Sequence, residues 1–148
     1  MDHRQKAVDL FLAGHNCAQS VFAAFCDVTG YDEETALKLS SPFGGGIGRL
    51  REVCGAVSGM LMVLGATHGI CDPTDPAAKM VNYQLTQKLV REFEAEHGSY
   101  ICRDLLSAVE TDTAPEPSPR TAEYYEIRPC AGFVAAAAAI LDEFLVKS

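Results

Sequence analysis

The chain has 148 residues, of which 48% are hydrophobic, and its formal net charge is −8 at pH 7. This length and composition indicate one globular domain spanning residues 1–148. The acidic balance argues against nucleic acid and anionic membranes as partners, because both are bound by clustered lysine and arginine. The first residues lack the long apolar run of a secretory signal, so we expect a cytoplasmic protein.

The periodicity of apolar residues is helical along the chain, and no strand alternation occurs. We therefore expect an all-α fold, a single-domain helix bundle of about five to seven helices. Asn16 and Asp32 are typical N-cap residues, and Gly14, Gly30 and Gly69 are typical helix ends. The predicted helices cover residues 2–13, 16–29, 33–40, 50–67, 77–97, 102–109 and 129–146.

A Pro-rich loop is predicted at residues 111–128, which contain Pro115, Pro117 and Pro119. A loop of this length within a compact domain is uncommon, and it is usually either functional or disordered. Two interpretations stay open: a connector without regular structure, or a lid over a site.

An uncharged segment at residues 53–71 is close to the length that crosses a bilayer, about 20 residues. It contains several glycines together with Ser58, Thr67 and His68, and it lacks aromatic anchors at its ends. A helix that is apolar on all sides is also typical of the centre of a bundle. We therefore expect a buried central helix and no membrane span.

The chain contains six cysteines. In a reducing compartment cysteines are usually free thiols, metal ligands or redox groups. Helical spacing places four of them near the start of a helix and on its core-facing side, where the positive end of the helix is expected to lower the cysteine pKa. Cys26 lies nine residues after Cys17, on the opposite face of a straight helix. The four core-facing cysteines are Cys17, Cys54, Cys102 and Cys130.

Small residues surround Cys54. Gly55 and Gly59 lie on one helical face and indicate that another backbone comes close there, which makes both candidate cofactor-contacting residues. The preceding "FGGGIGR" lacks the G-K-[ST] of a phosphate loop. Anion binding there, with Arg49 or Arg51 as the counter-charge, is an alternative to the favoured role, a close passage of the backbone beside the Cys54 helix.

Four stretches carry a resemblance to a known family: "HNCAQSV", "FGGGIGRLREVCGAVSG", "ICRDLL" and "RPCAGFV". Together they resemble the redox-active family named for the pattern C…GCAxxG…C…C, over nearly the whole chain. The core motif here reads Cys-Gly-Ala, whereas the family label writes Gly-Cys-Ala. The resemblance implies a redox or metal role for the four core-facing cysteines. It leaves out Cys26 and Cys71, which we interpret as structural.

The predicted function is that of a small redox protein whose four cysteines form one site. They would either ligate an iron–sulfur cluster or act as catalytic thiols in thiol–disulfide exchange. One alternative is a zinc- or other metal-binding carrier or sensor, in which the same four cysteines are the ligands. Another is a helical interaction module without chemistry. Whether the protein is an enzyme, an oxidoreductase, or an electron-transfer protein stays open. The expected partner is an unidentified redox protein, with homodimer formation left open.

Overall fold

The computed structural model describes residues 2–148, which contain nine α-helices and one short 3₁₀ helix. Within these residues no β-strand occurs, and Val53 and Ile101 form an isolated antiparallel bridge. The all-α prediction is therefore confirmed. The helices are α1 (His3–Leu12), α2 (Cys17–Ala24), α3 (Cys26–Thr29), α4 (Glu33–Ser40), α5 (Gly55–His68), α6 (Pro76–His97), α7 (Cys102–Leu105), α8 (Ala122–Ile127) and α9 (Cys130–Lys147), with the 3₁₀ helix at Ser41–Phe43.

The helix total exceeds the expected five to seven because two short helices are not predicted from sequence. The predicted helix over residues 16–29 breaks at Phe25, which is fully buried and stacks on the His3 ring at 4.1 Å. Helix α8 lies inside the predicted loop, where the Thr121 side chain caps it by accepting from the Tyr124 N–H. In both places side-chain packing or capping overrides what the periodicity indicates.

Four longer helices begin at a side-chain N-cap, and two of these caps, Asn16 and Asp32, are predicted from the sequence. At each of them an Asp or Asn oxygen accepts a hydrogen bond from the backbone N–H three residues later, which is worth about 1 kcal/mol. At Asn16 the cap is reciprocal, because the Gln19 side chain accepts from the Asn16 N–H at 3.0 Å. This capping box fixes the start of α2 at Cys17. The four cap residues are Asp2, Asn16, Asp32 and Asp75.

Helix α5 is the central element and packs against α2, α6 and α9. Its side chains at Met60, Val63 and Leu64 are buried in the core, which explains the absence of charge in this segment. Among residues 2–148, no helix has both the length and the apolar character needed to cross a membrane.

Glycines allow α5 to lie directly against α2. A Cβ added at Gly59 would lie 2.7 Å from the Ala18 carbonyl oxygen and 3.0 Å from the Val21 Cβ. One added at Gly55 would lie 3.1 Å from the Cys17 Cβ. All three distances are shorter than ordinary contacts. The expected close approach of a second backbone is therefore present, and it brings Cys17 beside the start of α5.

Helix α5 begins at Gly55, five residues later than the predicted start at residue 50. The preceding loop, residues 44–54, has positive φ at Ile47 (68°), Arg49 (68°) and Arg51 (63°). A left-handed backbone cannot continue into a right-handed helix, and for a residue with a side chain it costs about 1–2 kcal/mol. Hydrogen bonds from the Gly48 N–H to the Pro42 carbonyl and from the Arg51 N–H to the Gly45 carbonyl hold the loop in this path.

Candidate functional site

A cavity of about 400 Å³ lies between the loop 44–54, the starts of α2, α5, α7 and α9, and residues from the segment 115–128. The segment 111–128 therefore contributes to the cavity wall, although the sequence left open whether it is a connector or a lid. All four core-facing cysteines of the sequence line the cavity: Cys17, Cys54, Cys102 and Cys130.

Each of these cysteines lies at the start of a helix. Cys17, Cys102 and Cys130 are the first residues of α2, α7 and α9, and Cys54 directly precedes α5. Three of them are buried, whereas Cys17 is partly exposed. The fold thus brings together four thiols from four separate segments at the same end of the molecule.

Backbone pairing places Cys54 next to Cys102. The Cys54 N–H donates to the Tyr100 carbonyl at 2.9 Å, and the Cys102 N–H donates to the Glu52 carbonyl at 2.6 Å. Gly46 of the preceding loop packs against the same point, because a Cβ there would lie 2.7 Å from the Cys102 Cβ. The position of these two cysteines is therefore fixed by main-chain contacts.

The two candidate glycines take different positions. Gly55 lines the cavity beside Cys54. Gly59 lies one turn further along α5, is not among the residues lining this cavity, and packs against Ala18.

The thiols of Cys17 and Cys130 influence each other's ionisation. Their interaction, together with burial, raises the pKa of Cys17 well above its ordinary value, and the same interaction lowers the pKa of Cys130. Burial opposes the lower pKa of Cys130, whereas the guanidinium groups of Arg128, Arg120 and Arg51 favour it. Of the two thiols, Cys130 therefore has the lower pKa.

The other two cysteines remain protonated more strongly than free thiols. Burial raises the pKa of Cys54 to about 12, although two N–H groups of α5 act in the opposite direction. Burial also raises the pKa of Cys102, partly offset by Arg51, whose Nη1 lies 3.9 Å from the sulfur. The expectation that helix starts lower the pKa of all four cysteines is therefore wrong for three of them. In a buried site desolvation outweighs the helix N-terminus.

The remaining cysteines lie elsewhere. Cys26 is the first residue of α3, and Cys71 is exposed in the turn after α5; neither lines the cavity. All six cysteines are free thiols. In the described part of the chain, no group of three or more Cys, His, Asp or Glu side chains is arranged to hold a metal ion.

A family model described as "Putative redox-active protein (C_GCAxxG_C_C)" matches residues 15–144. The chain belongs to this family. The match covers all four cavity cysteines and confirms the resemblance seen in the sequence. No match to the chain was found among curated proteins or among solved structures.

Three residues that line the cavity of this C_GCAxxG_C_C family member are not predicted from the sequence. The cavity is also lined by Arg120, Tyr124 and Arg128, which follow the Pro-rich stretch. Arg120 lies 4.7 Å from the centre of the Phe11 ring and donates to the Phe11 carbonyl, so a contact with α1 holds it in place. No local pattern signals that contact. The available signal is that two arginines, Arg120 and Arg128, follow the Pro-rich stretch of an acidic chain.

Proposed function

We propose that this member of the C_GCAxxG_C_C family is a cysteine-based redox protein in which Cys17 and Cys130 cycle between dithiol and disulfide. The observation that supports the proposal is that both thiols line one cavity and act on each other's ionisation, with the pKa of Cys130 lowered and the pKa of Cys17 raised. Thiol–disulfide exchange requires one thiolate as the nucleophile and a second thiol within reach to resolve the intermediate. This pair provides both.

The exchange proceeds in two displacements. The Cys130 thiolate attacks one sulfur of a partner disulfide, which forms a mixed disulfide and releases the other partner sulfur as a thiolate. Cys17 gives its proton to that leaving thiolate, attacks the Cys130 sulfur, and releases the second partner sulfur. Two electrons thereby pass from the protein to the partner, and Cys17 and Cys130 become a disulfide. A dithiol reductant would restore the Cys17 and Cys130 thiols by the reverse sequence, giving two electrons to the protein and becoming a disulfide itself.

Cys54 and Cys102 form a second pair at the same cavity. Their raised pKa values keep them protonated near neutral pH, so we assign them no part in the first displacement. Main-chain contacts hold them beside the exchanging pair, where they are available for a further disulfide.

The second candidate function is electron transfer by an iron–sulfur cluster. It is favoured by a specific observation, namely that four cysteines from four segments line one cavity, since four Cys thiolates are a common ligand set for such clusters. The chemistry of these four donors fits such a cluster, which is larger than the single metal ion for which the described residues show no grouped ligands. Cys17, Cys54, Cys102 and Cys130 would hold it. When bound, the cluster would supply one-electron transfer.

Purification without oxygen separates the two candidates. For thiol exchange we expect colourless protein without metal, which loses two titratable thiols as the redox potential of the buffer is raised. Mass spectrometry of the oxidised protein should identify a Cys17–Cys130 disulfide. The variants Cys17→Ser and Cys130→Ser should abolish this disulfide, whereas Cys71→Ser, which removes an exposed thiol outside the cavity, should leave it unchanged.

Other outcomes assign the protein to the alternatives. Coloured protein with iron and sulfide, bleached in Cys54→Ser, would establish the cluster in place of exchange. Colourless protein whose thiols react only after chelation would indicate bound zinc and a carrier or sensor. Metal-free protein that forms no disulfide at any potential would contradict both redox candidates and favour an interaction module.

A further inference from the structure

The cavity differs in charge from the rest of the chain. The protein has 20 acidic residues and a formal net charge of −8. No Asp, Glu or Lys lines the cavity, but four arginines do. An enclosed site with one sign of charge raises the local concentration of molecules of opposite charge. The four arginines are Arg49, Arg51, Arg120 and Arg128.

Two of these arginines are used to hold the cavity wall. The Arg49 guanidinium donates to the carbonyl oxygens of Ala114 and Glu116 and, at 3.1 Å, to the Ser118 hydroxyl. Arg120 donates to the carbonyl oxygens of Phe11 and, at 3.1 Å, His15. These contacts occupy the donors of both side chains, and the Asp112 carboxylate, 3.6 Å from Arg49 Nη1, offsets part of the Arg49 charge.

The other two arginines keep unused donors. Arg51 is only 5% exposed, and its Nη2 is buried without a hydrogen-bond partner in residues 2–148. Its Nε donates to the Asp112 carbonyl at 3.1 Å, which fixes the guanidinium in place. The Arg128 side chain donates no hydrogen bond within the described residues, and its guanidinium lies 4.9 Å from the centre of the Tyr124 ring. A buried donor without a partner is unfavourable, so such groups usually have a ligand or water as partner.

We infer that the cavity binds the carboxylate of a low-molecular-weight anionic disulfide on Arg51 Nη2 and the Arg128 guanidinium, beside Cys130. Guanidinium groups bind carboxylates through two parallel hydrogen bonds, which suits a fixed arginine better than a lysine. The inference rests on the proposed exchange function and names its oxidant: the disulfide is reduced to two thiols as Cys17 and Cys130 are oxidised.

The arrangement also explains why the anion lies at the reacting atom. Arg51 and Arg128 line the same cavity as Cys130, and Arg128 lies two residues before it in the chain. A thiolate alone would repel an anionic disulfide. The two guanidinium groups offset that repulsion, and they orient the disulfide with its sulfur atoms towards Cys130.

The test uses three disulfides of different charge on the reduced full-length protein: anionic bis(carboxymethyl) disulfide, neutral bis(2-hydroxyethyl) disulfide and cationic cystamine. Formation of the Cys17–Cys130 disulfide is followed by acid quench and mass spectrometry. Exposed Cys71, which lies next to Asp72, serves as the reference thiol in the same molecule. Relative to Cys71, the cavity pair should react at least about tenfold faster with the anionic than with the neutral disulfide.

Variants assign the preference to the arginines. Arg51→Gln should abolish the preference for the anionic disulfide, and Arg128→Gln should reduce it severalfold. Arg91→Gln removes the same charge from the exposed face of α6 and should leave the preference unchanged. If Arg51→Gln does not fold, Arg128→Gln carries the test, since its side chain donates no hydrogen bond within residues 2–148. An equal charge order at the cavity and at Cys71, or a preference retained in both variants, would overturn the inference.

A binding measurement separates failure of the anion site from failure of exchange. Thiodiglycolate has the two carboxylates of the anionic probe and no disulfide, and it should slow the alkylation of Cys130 by neutral iodoacetamide without slowing that of Cys71. Protection without any Cys17–Cys130 disulfide supports the anion site and contradicts the exchange function. Disulfide formation without protection supports exchange and contradicts the anion site.

Discussion

The two ends of α5 carry the same residue types in opposite surroundings. At the cavity end Cys54 is buried, and Gly55 and Gly59 contact α2. At the other end Cys71 is exposed, and a Cβ added at Gly65 would meet nothing within 4 Å. Because the residue types are the same at both ends, the role of a cysteine or a glycine in this chain is decided by the segments packed around it.

Charge follows the same division. The cavity end gathers arginines, whereas the turn beyond α5 places Asp72 and Asp75 close to Cys71. Both regions belong to one acidic chain, so the net charge of −8 describes neither of them. The charge that decides binding is the local one, which composition cannot give.

Thiol reactivity should separate the two ends by the largest factor. In native protein near pH 7 we expect iodoacetamide to modify Cys54 at least about a hundredfold more slowly than Cys71, because a thiol with a pKa of about 12 is almost entirely protonated there. The measurement is pulsed alkylation followed by peptide mass spectrometry. In denaturant the two rates should become similar, and similar rates in the native protein would contradict the burial of Cys54.

The same alkylation series across pH sharpens the comparison within the cavity. The thiolate fraction of a cysteine rises as pH passes through its pKa, so a lowered pKa moves the reactivity curve to lower pH. The Cys130 curve should therefore have its midpoint below the ordinary thiol range, and the Cys54 curve should still be rising near the alkaline limit. A Cys130 midpoint above that of Cys54 would show that the arginines and Cys17 do not stabilise the thiolate.

The glycines of α5 should differ in the sign of their effect on stability. Gly59→Ala introduces a Cβ 2.7 Å from the Ala18 carbonyl oxygen and should lower the free energy of unfolding by about 1–3 kcal/mol. Gly65→Ala places its Cβ in open space on the same helix and should raise the free energy of unfolding by up to about 1 kcal/mol. Urea unfolding followed by circular dichroism measures both. Equal changes in the free energy of unfolding for the two variants would mean that the packing of α5 against α2 does not require glycine at position 59.

What the sequence could predict was local. The caps at Asn16 and Asp32 depend on residues three positions away, and their helices begin where expected. The His3 side chain contacts Asp27 of α3 at 2.9 Å and Asp142 of α9 at 2.6 Å, and so joins the first helix to the last. No spacing of residues in the sequence predicts these contacts.

The cavity shows the same limit. The four cysteines stand out because each precedes an apolar helical face, which is again a local pattern. The buried donor of Arg51 depends on the path of the loop 44–54, on its bond to the Asp112 carbonyl and on the segment that covers it. Sequence indicated Arg51 as a counter-charge, but only the assembled fold shows which of its atoms lacks a partner.

Backbone strain gives the smallest expected effect and belongs to the cavity end alone. In residues 2–148 all non-glycine residues with positive φ lie in the loop before Cys54, and Ile47 is the β-branched one, with φ of 68° and 40% exposure. Glycine adopts this φ without the side-chain penalty, but it also adds freedom to the unfolded chain. The net expectation for Ile47→Gly is a gain of about 0.5–1 kcal/mol in the free energy of unfolding.

Leu50→Gly is the matched control, because Leu50 is also a surface residue of the loop but does not have positive φ. This variant should lower the free energy of unfolding by about 0.5–1 kcal/mol. Thermal unfolding of the two variants measures the difference, and a loss of stability in Ile47→Gly as large as that in Leu50→Gly would mean that the loop is not strained at this position.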